Sequence, residues 1–161
     1  MKVVVDTNVL VSGILSAEGP PGKIVDWIIQ GDLCVCCNPR IIVEYERVLS
    51  RPELALPGLL VTRLLTRMTS AGESVSGVPL SNHLPDASDE AFLEVALVQQ
   101  AECLITGNLR HFPPACRQGI RVLSPREFLD FFRDQQGHSS GKVKSPSVRY
   151  KAQKRRKDKR H

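Results

Sequence analysis

Short apolar blocks alternate with longer stretches of helical period along this chain. Residues 3–5, 33–37, 103–106 and 119–123 are brief aliphatic runs closed by polar or turn residues, as expected of strands buried on both faces of a parallel sheet. Residues 73–78 read as a weaker edge strand. Between these runs, 9–15, 24–30, 40–50, 54–71 and 89–100 suit helices, and 125–132 closes the series. The punctuation agrees. Gly31 stands past the end of the second helix, Pro39 and Pro125 open the third and the last, and Pro57-Gly58 interrupts the fourth. Strands separated by helices imply parallel crossovers, so the pattern predicts an α/β domain: a three-layer α/β/α sandwich around a parallel sheet of roughly five strands.

At 161 residues, 42% of them hydrophobic and 5% aromatic, the chain suffices for one domain with an aliphatic core. Its apolar runs are far shorter than the roughly 20 residues a membrane span needs. No basic leader precedes an apolar stretch, so a cytoplasmic protein without a membrane segment is expected. Cys34, Cys36, Cys37, Cys103 and Cys116 lack paired or zinc-ligand spacing and read as reduced, mostly buried thiols.

The formal charge of +5 conceals two opposite parts. Of the 22 Lys and Arg, ten lie from Lys142 onward; of the 17 Asp and Glu, only Asp158 does. The first 141 residues therefore hold 12 basic and 16 acidic side chains, a net charge of −4. The boundary is expected near residue 136, with a domain over 1–136 and a Ser/Gly/Lys/Arg-rich tail over 137–161 that has too little to bury to fold. Lys154, Arg155, Arg156 and Lys157 form the densest block of that tail, a polycation suited to phosphates without sequence preference.

Candidate chemistry gathers at one end of the predicted sheet. Asp6 ends the first strand, at the edge where open α/β sheets hold ligands, and an acid there is costly to bury without a positive partner. Glu44 lies a little over a turn into the helix after the second strand, Asp86 and Asp89 precede the helix at 89–100, and Asn108 follows the strand at 103–106. Singly, each has a plainer reading: Asp6 and Asp89 as helix caps, Glu44 as a surface partner of Arg47 or Arg40, Asp86 as a loop acid. Together they are oxygen donors suited to a hard divalent cation such as Mg²⁺ or Mn²⁺. Such a cation offers activation of water and charge stabilisation at phosphorus. His83 and His111 read as loop or surface residues, and Arg63, Arg67, Arg110 and Arg117 as sources of local positive charge. A nucleotide-binding or phosphatase-like enzyme is disfavoured, because no Gly-rich loop follows the first strand and Asp6-Thr7-Asn8 lacks the second acid of an Asp-x-Asp pair.

Five segments, in order and sensibly spaced from about residue 2 to residue 132, carry a resemblance. They are Val-Val-Asp6-Thr7-Asn8; Pro39-Arg-Ile-Ile-Val-Glu44-Tyr45; Pro85-Asp86-Ala-Ser-Asp89-Glu-Ala-Phe-Leu-Glu-Val-Ala96; Cys103-Leu-Ile-Thr106-Gly-Asn108-Leu-Arg-His-Phe112; and Val122-Leu-Ser-Pro125-Arg-Glu-Phe-Leu129. This series resembles the PIN-domain family, and within it the branch of toxin components of toxin–antitoxin pairs. The resemblance implies a Mg²⁺- or Mn²⁺-dependent endoribonuclease, commonly a homodimer, with RNA as substrate and an antitoxin protein as partner. Position by position, it makes Asp6, Glu44 and Asp89 the metal-holding acids and Asp86 an extra catalytic acid. Thr7, Asn8 and Thr106 support them. Many relatives carry an Asp where this chain has Asn108, which offers a carbonyl oxygen but no charge. One firmly held cation and a weaker second follow from that departure. The runner-up is a catalytically weak PIN-like module that binds RNA or a protein.

Overall fold

The computed structural model describes residues 1–71 and 77–139. Val3, Val4 and Val5 are fully buried, and the strand they belong to, β1 (Lys2–Val5), lies inside the sheet. On one side it pairs with β2 (Cys34–Val35); on the other it pairs with β3 (Cys103–Ile105), which in turn pairs with β4 (Val122–Leu123). All three pairings are parallel, and the order is β2-β1-β3-β4. Continuous aliphatic burial along β1 and β3 is what a sheet covered by helices on its faces requires.

Six helices flank the sheet: α1 (Thr7–Leu15), α2 (Pro20–Gln30), α3 (Pro39–Leu49), α4 (Gly58–Ser70), α5 (Glu90–Val98) and α6 (Pro125–Ser139). Their ends follow from local chemistry. Gly31 takes φ 90° after α2 and returns its N–H to the Trp27 and Ile28 carbonyls, a left-handed cap that favours glycine. The Asn38 side chain accepts the Ile41 N–H at 2.9 Å and Pro39 fills the first turn of α3. Ser124 and Glu127 cap each other's backbone N–H at the head of α6. Trp27 of α2 packs on Phe128 and Phe132 of α6, and Tyr45 of α3 packs near Phe92 of α5.

α1 and α2 approach closely through glycines. A Cβ on Gly22 would lie 2.0 Å from the Ala17 carbonyl oxygen, and one on Gly13 would lie 2.5 Å from that of Pro21. The obstacle is backbone in both cases, so neither site can relax by moving a side-chain tip. Gly22→Ala is expected to cost about 3 kcal/mol, the upper end of overpacking penalties, in urea unfolding.

Three differences from the sequence pattern have physical reasons. α4 begins at Gly58 rather than 54, because Pro57 disfavours a helical conformation at Leu56 and Pro52–Leu54 closes only a single 3₁₀ turn. α6 continues past the expected end near Phe132, so 137–139, read as the start of the tail, are helical. The sheet has four strands among the described residues, not five: the weak strand expected at 73–78 falls mostly outside them, and Gly77 and Val78 carry no strand. Lys154, Arg155, Arg156 and Lys157 also lie outside the described residues. All five cysteines are free, and burial pushes Cys36 and Cys37 up to about 11 and Cys103 up to about 12, so these thiols stay protonated and unreactive. No helix among the described residues is long and apolar enough to cross a membrane.

Candidate active site

From β1 the sheet extends to β2 on one side and to β3 on the other, and open α/β sheets leave a ligand crevice beyond the carboxyl ends of strands at such a switch point. Asp6 and Thr106 directly follow β1 and β3, and they meet there. Thr106 Oγ1 donates to Asp6 Oδ2 at 2.8 Å across 100 residues of sequence. The same hydroxyl accepts the Asn108 N–H at 3.1 Å, while Asn8 Oδ1 accepts the Gly107 N–H at 3.1 Å. Just beneath, the fully buried Tyr45 donates its hydroxyl to the Val5 carbonyl. These bonds lace the two central strand ends together.

Asp6 stands at the N-cap position of α1, yet its side chain closes no capping hydrogen bond. Burial pushes its pKa up, opposed by the Thr106 hydrogen bond, the Asn8 and Thr7 amides and the charge of His111. Asp89 repeats the pattern at the head of α5: buried, in cap position, without a capping bond. Its pKa rises to about 6, first through burial and next through repulsion from Asp6, with His111 pulling the other way. His111 Nδ1 lies 2.9 Å from Asp89 Oδ2, an ion pair when the imidazole is protonated. Thr7 Oγ1 is buried without a partner.

Over this pair opens a cleft of about 440 Å³. Asp6, Thr7 and Asn8 form part of its lining, as do Glu44 from α3, Arg51 from the turn after it, and Asp86, Asp89 and His111. Glu44 reaches the cleft as expected from sequence, but its Oε2 is 2.6 Å from Arg47 Nη2, the ion pair of its plainer reading. Asp86 sits exposed on the rim, where Oδ1 accepts both the N–H and the hydroxyl of Ser88; those bonds lower its pKa. Asn108 is half-buried behind Thr106, outside the cleft lining. The structure thus bonds Asp6 to Thr106, gathers Asp6, Thr7, Asp89, Glu44 and Asp86 around one cleft, and leaves Asn108 outside its lining.

Two cleft residues escaped sequence reasoning. His111 read as a loop residue, yet the 3₁₀ turn Leu109–His111 carries its ring to Asp89. Its signal was the spacing of only a few residues from the end of a central strand. Arg51 was given no role by the sequence pattern, and nothing in that pattern pointed it toward the cleft.

Comparison with known proteins agrees with this geometry. A family model described as PIN domain matches residues 2–110, and the chain belongs to that family. PIN domains are generally nucleases and typically use a divalent metal ion. An uncharacterised protein of Methanocaldococcus jannaschii is 28% identical over 143 residues, covering 82% of this chain and 92% of that protein. No solved structure matches the chain.

The donors present fit a hard cation in part. Two buried carboxylates line the cleft, Asp6 helps raise the pKa of Asp89, and the buried, unpartnered Thr7 hydroxyl and the Asp89 carboxylate are oxygens of the type such an ion takes. Among the described residues, however, no three Asp, Glu, His or Cys side chains converge closely enough to grip an ion together. Glu44, held by Arg47, is the donor that has to turn.

Proposed function

We propose that this protein is a Mg²⁺- or Mn²⁺-dependent endoribonuclease of the cytoplasm, acting as the toxin of a toxin–antitoxin pair. The observation that carries the reading is the pair of buried carboxylates, Asp6 and Asp89, lining one cleft at the sheet's switch point, with the charge of Asp6 helping to raise the pKa of Asp89. Asp6, Glu44 and Asp89 would hold the cation, with Asn108 supplying at most a neutral oxygen. When bound, the cation supplies charge neutralisation at phosphorus and a more acidic water. Thr106 holds the Asp6 carboxylate in one orientation, and the Asn8–Gly107 bond fixes the loop beside it. Asp86, whose Oδ2 is left free by Ser88, would be the candidate proton acceptor at the rim. Glu44 is the alternative base once it leaves Arg47.

The strongly exposed Leu59 on α4 supports a homodimer surface, and the family resemblance supports an antitoxin partner. The tail basic block, Lys154, Arg155, Arg156 and Lys157, would offset the acidic body by binding RNA phosphates. A chain ending at residue 140 is therefore expected to show a shallower dependence of RNA affinity on salt than the full chain; equal slopes would exclude the tail from RNA contact.

Two observations favour the weaker reading of an RNA- or protein-binding module: the Glu44–Arg47 pair and the lack of a three-donor cluster among the described residues. The two readings separate in one assay. The full chain is incubated with mixed RNA in Mg²⁺, in Mn²⁺ and in excess chelator, beside Asp6→Asn. Cleavage by the wild type only with a cation supports the nuclease; binding without cation-dependent cleavage supports the module.

A further inference from the structure

Five arginines of the described residues already have partners. Arg40 pairs with Glu94, Arg47 with Glu44 and Arg133 with Asp130. Arg117 Nε donates to the Phe112 carbonyl, and Arg121 lies over the Phe131 ring. Arg51 does none of this. It is exposed and lines the same cleft as Asp6, Glu44, Asp86 and Asp89, yet no carboxylate of a described residue pairs with it.

Its backbone is well defined. The Arg51 N–H donates to the Val48 carbonyl at 3.2 Å, its own carbonyl accepts the Leu54 N–H at 3.1 Å, and Pro52 follows. Val48 and Leu54, the aliphatic residues of that turn, line the cleft beside it. Low-dielectric walls strengthen any charge pair formed against them. A guanidinium offered to a cleft rich in acids, and bound to none of them, is placed for an anion the chain does not contain.

We propose that Arg51 binds a phosphate of the RNA in the cleft, taking two of its oxygens with the guanidinium fork. The proposal rests on the ribonuclease reading and names the residue through which the acidic cleft receives an anionic substrate. Arg51 thereby counterbalances the carboxylates: they draw the cation, and it draws the phosphate.

The test uses the full chain carrying Asp6→Asn, so that RNA is bound and not cut, with and without Arg51→Gln or Arg51→Lys. Affinity for a short single-stranded RNA is measured across a salt series, and Mn²⁺ affinity is measured on chains that keep Asp6, with and without Arg51→Gln. Arg51→Gln is expected to weaken RNA binding on the order of tenfold or more and to make the salt slope shallower by about 1. Arg51→Lys should keep the slope and recover only part of the affinity, because it keeps the charge and loses the fork. Mn²⁺ affinity should be the same with and without the Arg51→Gln change. Unchanged RNA affinity and slope in Arg51→Gln, or absence of RNA binding by the Asp6→Asn chain itself, overturns the proposal. Loss of Mn²⁺ affinity alongside loss of RNA binding also overturns it, since Arg51 would then be shaping the metal-holding acids. Failure of the nuclease reading shows separately, as wild-type RNA left intact with the cation present.

Discussion

Asp6→Asn is expected to remove cation-dependent RNA cleavage while leaving the protein at least as stable as the wild type near neutral pH. Asn keeps the size of the side chain and an oxygen for the Thr106 hydroxyl, so the link between β1 and β3 survives. What disappears is the charge. Burial already disfavours that charge, as the raised pKa of Asp6 shows, so its removal relieves the cation-free fold. A catalytic loss without a stability loss separates a role in holding the cation from a role in folding. Thr106→Val gives the graded control. It deletes the donor that orients Asp6 and is expected to cost about 10–100-fold, the usual effect of losing an outer partner of a metal ligand. Asp6→Asn should exceed that. RNA cleavage rates and urea unfolding of the three proteins check both halves, and equal cleavage by Asp6→Asn and wild type would sink the cation reading.

The parts of this site that were legible in the sequence are those fixed by strand ends. A β-branched run closing on Asp6 and an aliphatic run closing on Thr106 can be read directly, because a parallel strand buried on both faces leaves a polar residue little choice but the crevice. That the two residues would touch follows from β1 and β3 being neighbours, which requires the sheet order, and the order is set by long-range packing that no local pattern encodes. The acids on helices were legible only as positions. Glu44 occurs at a spacing that brings it to the cleft, but its carboxylate has both Arg47 and the cleft within reach, and the ion pair with Arg47 wins in the cation-free chain. His111 and Arg51 were illegible for a different reason. His111 sits in a single 3₁₀ turn and Arg51 is the extended residue that opens another, and in such short turns one residue's change in phase redirects a side chain from solvent to cleft. The same limit applies to helix ends: Pro57 sets the start of α4, whereas Gly137 reads as a stop in α6 and the helix nevertheless runs on to Ser139.

Asp89 carries the largest expected effect of pH. An ordinary Asp ionises near 3.8, and in the folded chain burial and the neighbouring Asp6 raise Asp89 to about 6. Below about pH 4 both folded and unfolded chains hold the proton, and Asp89 contributes no difference. As pH rises, the unfolded chain releases it first while the native chain keeps it. Stability of the cation-free protein therefore falls between about pH 4 and 6 and levels off above, by about 3 kcal/mol from this group. Asp6 adds in the same direction. Asp86 and Glu127, whose pKa values are lowered, act in the opposite sense and at lower pH, withdrawing stability as they become protonated. In Asp89→Asn the fall between pH 4 and 6 should shrink, so that the variant matches the wild type near pH 4 and is the more stable of the two above pH 6. Adding Mn²⁺ at pH 7 should close that gap from the other side, because a cation bound to the native carboxylates stabilises the wild type and has far less to hold in the variant. Urea unfolding at pH 4, 5, 6 and 7, with chelator and with Mn²⁺, reads all of this. A wild-type curve that is flat across the window, or a Mn²⁺ shift of equal size in both proteins, would mean that Asp89 faces neither Asp6 nor a cation.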